Sequence, residues 1–361
     1  MAKHFRTLTI LDIRNETDEC VSVAFHVPDE WKEEFKYLAG QNITIRSSIG
    51  GQDVRRSYSI CSGPHENELR VAIKKVEGGL FSSHAHSKFE KGQQLEVLAP
   101  TGNFILSLDP THKKHYVAFA AGSGITPVMS LLKTILKNEP FSSFTLVYGN
   151  QNRNSMIFRE ELMALKNDHP EKFQLIPVFS REKMEAPLFE GRIGSTKCEI
   201  LFNSIIPFST GHEFLLCGPA AMIFEIRNWL LGKGVAAGRI HFELFSDPGE
   251  VGIKEKKTIP AGKETPGSKS LVTIRLDGVS SDFQIPREGP TILEAAILGG
   301  ADLPYACRAG VCATCRAKLV SGKVRMDQNY SLADEELEEG FILACQSHPV
   351  SDQLTIDFDI R

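Results

Sequence analysis

The chain has 361 residues, 42% hydrophobic and 24% charged, with a formal net charge of −4. This is the balance of a water-soluble protein long enough for two or three domains with separate cores, and it does not suggest a nucleic-acid binder. The longest apolar stretch, 116–136, is broken by Gly122, Ser123, Gly124, Thr126 and Pro127, so no membrane span is expected.

In chain order, the first ten residues lack the apolar core of a targeting segment. Alternating apolar runs at 42–45 and 69–73 then predict antiparallel strands of a barrel, with Arg56-Ser57-Tyr58-Ser59 between them. Alternation sets Arg56 and Tyr58 on one face, where a guanidinium suits a pyrophosphate and a phenol ring covers an aromatic cofactor. Read alone, the string also fits an ordinary surface strand. Gly78-Gly79-Leu80-Phe81-Ser82 follows as a Gly-rich turn into a helix whose first amides suit phosphate.

The next unit is a strand at 117–121, the loop Gly122-Ser123-Gly124-Ile125-Thr126-Pro127 and an amphipathic helix at 129–136. Strand, tight Gly loop and helix open a nucleotide-binding α/β domain. Pro127 replaces the third glycine of the dinucleotide fingerprint and suits the first turn of a helix. Strands at 144–148, 174–179 and 213–217, separated by helices at 158–166 and 220–231, extend a parallel sheet. Ligands gather at the C-terminal ends of such strands, here marked by Gly149-Asn150, Ser180-Arg181 and Cys217-Gly218-Pro219.

Residues 246–270 hold four glycines, three prolines and five lysines with no sustained periodicity, and predict a tether with a reach of roughly 25 to 30 Å. Beyond it the charge changes sign. Residues 271–361 carry 8 Lys and Arg against 14 Asp and Glu, a net −6, whereas the first 270 residues are at +2. The run Asp334-Glu335-Glu336-Leu337-Glu338-Glu339 is either a solvated helix face or a docking surface for a basic partner.

A hairpin is expected at 272–285 around Asp277-Gly278, then a helix at 292–298 stopped by Gly299 and Gly300, and a last strand at 353–358. Between them lies Cys307-x4-Cys312-x2-Cys315, with Cys345 after 29 further residues. This is the ligand order of a plant-type 2Fe-2S ferredoxin. A structural zinc site prefers two separated Cys pairs, and Cys345 has no neighbouring partner. Ala306, Ala309, Gly310, Ala313 and Thr314 are small enough to let backbone amides approach a cluster. The other four cysteines, Cys20, Cys61, Cys198 and Cys217, are scattered. No disulfide framework is implied, and a reducing cytoplasm is the expected location.

The barrel motif, the 121–127 loop and Cys217-Gly218-Pro219 together resemble the ferredoxin-NADP reductase superfamily. With the C-terminal ferredoxin, nearly the whole chain resembles the reductase subunits of multicomponent phenylacetyl-CoA epoxidases, notably at Arg55 to Cys61, Ser155 to Arg159 and Ala301 to Cys307. The fold implied is an FAD-binding antiparallel β-barrel (1–110), an NADP-binding parallel α/β domain (111–245), a linker (246–270) and a β-grasp 2Fe-2S domain (271–361). The resemblance implies that Arg56, Ser57, Tyr58, Ser59, Ala72, Ile73, Lys74, Gly79, Ser82, Thr126 and Phe245 hold FAD. It implies NADP contacts at Gly122, Gly124, Ile125, Thr126, Pro127, Gly149, Asn150, Ser180, Arg181, Cys217, Gly218 and Pro219. Tyr58, Ser59, Thr126, Cys217 and Glu243 would form the electron-transfer environment, with no acid-base catalyst, and Cys307, Cys312, Cys315 and Cys345 would bind the cluster. For Cys217 alone, a buried small hydrophobe is the plain alternative.

Electrons would pass from NADPH through FAD and the cluster to a terminal oxygenase. The expected acceptor is the di-iron phenylacetyl-CoA epoxidase of phenylacetate catabolism; the alternatives are a Rieske or steroid hydroxylase, or a redox-sensing carrier role. Ser180-Arg181 in place of an acidic residue favours NADPH over NADH. The chain departs from its relatives after Gly149-Asn150, where Gln151 replaces a common arginine and Arg153 lies two places on.

Overall fold

The alternating apolar positions of the first hundred residues form an antiparallel sheet in the computed structural model, which describes residues 4–245 and 269–360. Its strands are β1 (Phe5–Thr17), β2 (Cys20–His26), β3 (Asn42–Ile49), β4 (Gln52–Ser59), β5 (Leu69–Lys74) and β6 (Gln94–Thr101), with helix α1 (Leu80–Lys88) between the last two. The order is β4-β3-β6-β1-β2-β5, and a bridge from Ile60 to Val71 joins the two edges into a barrel. Inward positions are fully buried Leu8, Val23, Ile43, Ile45, Val71, Ile73 and Val97. Closure leaves few unpaired strand edges, which an open sheet this short would expose.

The second sheet contains β7 (His115–Ala121), α2 (Ile125–Asn138), β8 (Ser143–Asn150), α3 (Arg159–Asp168), β9 (Phe173–Phe179), α4 (Ser195–Ser204), β10 (Glu213–Gly218), α5 (Ala220–Gly232) and β11 (Ile240–Leu244). All strands are parallel, in the order β11-β10-β7-β8-β9. Strand order reverses between β7 and β10, which opens the crevice where such sheets bind ligands. Tyr116, Ala118 and Ala120 face α2, while Val117 and Phe119 face the core under α4 and α5. The α2 core continues into the barrel through Ala39, Cys61, Ala72 and Phe104, so these two parts share one apolar contact.

The third sheet comprises β12 (Lys269–Leu276), β13 (Val279–Pro286), α6 (Ile292–Leu298), β14 (Arg316–Ser321), β15 (Val324–Met326), α7 (Asp334–Glu338), β16 (Phe341–Leu343), β17 (Ser347–Pro349) and β18 (Gln353–Asp357). Its order is β13-β12-β18-β14-β16, with β15 and β17 as a separate ladder. Asp277 and Gly278 both have left-handed φ, 57° and 73°, the two-residue turn that matches hairpin twist. Thr291 and Glu294 cap α6 reciprocally, at 3.3 and 3.1 Å.

The main predicted strands and helices are found, most extended by one to four residues. Strands β1, β2, β6, β11 and β14 to β17 and helix α4 have no counterpart in the sequence reading. The tether expected over 246–270 lies outside the described residues, apart from Lys269 and Ser270, which belong to β12. Among the described residues no helix is long and apolar enough to cross a membrane.

Candidate functional site

Strand register assembles the central group. Cys217 on β10 lies opposite Ala120 on β7 and Glu243 on β11. The Glu243 carboxylate accepts a 3.0 Å hydrogen bond from the Ser59 hydroxyl at the end of β4. Ser59, Glu243 and Cys217 therefore meet where the barrel faces the parallel sheet. Burial pushes the Glu243 carboxyl up to about 8; hydrogen bonds from Ser59 and Asn42 oppose this, and the nearby Cys312 thiol adds to it. Glu243 is thus mostly protonated at neutral pH. Burial also holds the Cys217 thiol far above the usual range, so it is not a thiolate.

The loop after β7 reaches this group by close backbone approach. Gly122 has φ of 54° and its carbonyl accepts from the Tyr148 hydroxyl at 3.1 Å. A Cβ on Gly124 would stand 2.1 Å from the Cys217 carbonyl oxygen. Thr126 is buried and donates to the Ser123 carbonyl at 3.0 Å, which folds the loop into α2. Ile125 and Pro127 are buried in the first turn of α2, Ile125 within the core that α2 shares with the parallel sheet.

On the barrel side Tyr58 leans on Phe81, centroids 5.7 Å apart, and Arg56 is exposed with one nitrogen on the Arg55 carbonyl at 2.8 Å. Ala72 and Ile73 are buried in β5. Lys74 at the strand end brings its ammonium beside Gly122. Gly79 precedes α1, and the Ser82 hydroxyl closes that turn on itself, accepting from Val76 N and donating to the Gly79 carbonyl. Phe245 is 40% exposed just beyond β11.

At the outer strand ends Gly149 packs on Ile193, and Asn150 is buried with its Nδ2 unpartnered. The Asn150 carbonyl accepts from Ser180 N at 2.9 Å. Ser180 and Arg181 are exposed, whereas Arg153 is tied to Glu182 at 2.8 Å. Gly218 abuts Met222 and Ala121, and Pro219 caps α5.

Cys307, Cys312 and Cys315 sit in a loop with left-handed residues Arg308, Gly310 and Ala313, a backbone that turns amides inward, and Cys345 follows β16. Ala309 N donates to Cys307 Sγ at 3.3 Å. Among the described residues no three His, Cys, Asp or Glu gather tightly enough for one metal ion. The thiols meet in pairs instead: Cys307 with Cys312, Cys315 with Cys345, and Cys307 with Cys345. Two joined pairs fit a two-iron cluster with two thiolates per iron, and a zinc ion poorly.

Sequence reading missed Asn42, Thr44, Arg55 and Thr314. Each is polar and buried at the junction of the sheets. Asn42 and Thr44 carried no signal beyond strand alternation, and Thr314 read only as a small spacer between cysteines.

Three family models match: an oxidoreductase FAD-binding domain over 8–105, an oxidoreductase NAD-binding domain over 119–228 and a 2Fe-2S iron-sulfur cluster binding domain over 274–350. The chain is 40% identical over 357 residues to a subunit of the 1,2-phenylacetyl-CoA epoxidase of Escherichia coli K12, covering 99% of this chain and 98% of that one. The chain belongs to this family of ferredoxin-fused flavin reductases.

Another relative at 32% identity, covering 97% of this chain and 96% of its own, is the ferredoxin reductase component of 3-ketosteroid-9-alpha-monooxygenase from Rhodococcus rhodochrous. Phthalate dioxygenase reductase shares the fold across 98% of both chains, with a TM-score of 0.58 at 22% identity. A ferredoxin-fused flavin reductase is an NAD(P)H-dependent oxidoreductase that moves electrons through FAD to a 2Fe-2S cluster. The cofactors supply the hydride and single-electron chemistry. The chain's own residues join Ser59 to Glu243 and hold the cluster loop close to the barrel.

Proposed function

We propose that this reductase oxidises NADPH and delivers electrons to the oxygenase of a phenylacetyl-CoA epoxidase system. The observation that carries the acceptor is the 40% identity to the E. coli epoxidase subunit along the full length, against 32% for the steroid monooxygenase component. The three parts are taken as 1–110, 111–245 and 271–361, joined by 246–270, in a cytoplasmic protein. Arg56, Ser57, Tyr58, Ser59, Lys74 and Phe245 border FAD, the loop from Gly122 to Pro127 lies under the nicotinamide nucleotide, and the four paired cysteines bind the cluster.

Arg181 supports NADPH. It is exposed at the end of β9, with no side-chain partner among the described residues, whereas Arg153 is engaged by Glu182. A charge-assisted bond to a 2′-phosphate is worth about 1.5 to 3 kcal/mol. Arg181→Ala should therefore lower kcat/KM for NADPH about 10- to 200-fold and leave NADH nearly unchanged. Equal losses for the two coenzymes count against the role. The acceptor is tested by reconstitution: the purified reductase with phenylacetyl-CoA epoxidase subunits should support epoxidation coupled to NADPH oxidation. Productive turnover only with a Rieske or steroid oxygenase would overturn the reading.

A further inference from the structure

Arg55 is only 5% exposed, yet it bridges two parts of the molecule. Its Nη2 donates to Asp53 Oδ2 on β4 and to Asp302 Oδ1 before the cluster loop, both at 2.7 Å. Nη1 donates to the Leu303 carbonyl at 3.1 Å, and the guanidinium lies 4.4 Å from the Tyr305 ring centroid. A second contact follows at the other end of the loop. The Thr314 hydroxyl is 3.3 Å from Thr44 Oγ1 and 3.4 Å from Ser57 Oγ, which are themselves hydrogen-bonded at 3.0 Å. Both ends of the segment carrying Cys307, Cys312 and Cys315 thus rest on β3 and β4, beside Tyr58 and Ser59.

We propose that Arg55 is a positioning residue for electron transfer, a charged latch that registers the cluster loop on the flavin-facing strand. The residue type fits the task. A planar fork of five donors serves Asp53, Asp302 and a carbonyl together while stacking on Tyr305, and a lysine offers only a point charge. Buried, the guanidinium holds its partners strongly, because leaving it unpaired is costly. Asp302, by contrast, is 69% exposed and borders a 320 Å³ cavity shared with Arg46 and Phe5. Water and ions reach that side, so the Asp302 arm is the part of the latch that salt weakens. Its task is to set distance and orientation while one electron leaves reduced FAD and enters the oxidised cluster; no bond forms or breaks at Arg55.

With the latch closed, the cluster cysteines lie inside the molecule. Cys312, Cys315 and Cys345 are buried, and Val311 packs into the core of the parallel sheet. Inward electron transfer is served by the closed latch, and handing the electron to an external partner is served by its opening.

The test uses the complete protein loaded with FAD and cluster. Asp302→Asn and Asp302→Lys are the informative variants, because Asp302 is exposed and lies outside the cofactor sites. Anaerobic stopped-flow follows flavin reduction and then cluster reduction, and small-angle scattering on the same samples reads the overall dimension. Asp302→Asn should slow cluster reduction about 2- to 10-fold, and Asp302→Lys more, with flavin reduction by NADPH and ferricyanide reduction unchanged. The radius of gyration should rise in the same order. Salt at 0.5 M, which shortens the reach of charges well below the roughly 10 Å of 0.1 M, should expand the wild type and add little to Asp302→Lys. Arg55→Lys should slow cluster reduction likewise. Wild-type cluster-reduction rates and scattering in Asp302→Lys would overturn the proposal. So would slower cluster reduction accompanied by an altered cluster electron paramagnetic resonance signal and unchanged scattering, which would assign Asp302 to the cluster loop alone.

Discussion

A methyl group at position 124 has nowhere to go. An added Cβ would lie 2.1 Å from the Cys217 carbonyl oxygen and 2.8 Å from Gly218 N, atoms of one backbone peptide that no side-chain rotamer change can move. Gly124→Ala should destabilise the protein by about 1 to 3 kcal/mol in urea titration and weaken nicotinamide nucleotide binding, because the loop is pushed off β10. Glu243 makes a second test at this scale. Its folded pKa of about 8 lies above the unfolded value near 4.5, so the stability it contributes is complete below pH 4.5 and is lost as pH rises through 8. Glu243→Gln has no such loss. The melting temperature of the variant relative to wild type should climb from pH 5 to 8 and level off above that. Parallel melting profiles across this range would mean that Glu243 is ionised like an exposed carboxylate.

At the scale of elements, the cluster loop and helix α7 behave differently from what their sequences imply in isolation. Three cysteines and the left-handed residues belong to the loop and the fourth, Cys345, to the same ferredoxin part, so the cluster chemistry is separable from that of the barrel. Cys312→Ser should abolish iron-sulfur absorbance and oxygenase support while NADPH-dependent ferricyanide reduction survives; loss of FAD from a folded Cys312→Ser protein would show the flavin and cluster sites to be one cooperative unit. Helix α7 is acidic, but its charges are not equivalent. Glu336 is 2.7 Å from Arg316 and accepts from Asn103 Nδ2 at 2.6 Å, so it holds the ferredoxin part to the barrel. Glu335, Glu338 and Glu339 remain at the surface. These three glutamates offer their charges to an external partner.

For the whole molecule, net charge is divided between an acidic ferredoxin part at −6 and the remainder at +2. At 0.1 M salt charges act over about 10 Å, so electron delivery to the oxygenase should slow as ionic strength rises. Neutralising Glu335, Glu338 and Glu339 together should flatten that dependence in steady-state turnover while leaving the salt profile of internal cluster reduction as in wild type. An unchanged turnover profile would make the helix a solvated face and move the docking surface elsewhere.

What the chain specifies by itself is whatever lies close in sequence. The Cys-x4-Cys-x2-Cys loop, the Asp277-Gly278 turn, the capped helix at Thr291 and the Gly loop before α2 each draw their signal from neighbours within a few residues, where spacing and backbone preference act directly. The candidate site adds residues that no local pattern connects. Ser59 and Glu243 are 184 positions apart, Arg55 and Asp302 are 247 apart, and Thr44 and Thr314 are 270 apart. Their pairing depends on how barrel, parallel sheet and ferredoxin pack, and so do the neutral state of Glu243 and the burial of Arg55. Local spacing carries the chemistry of each cofactor segment; only the tertiary structure brings those segments together, because burial and long-range hydrogen bonding are properties of packed surfaces and not of any stretch of chain.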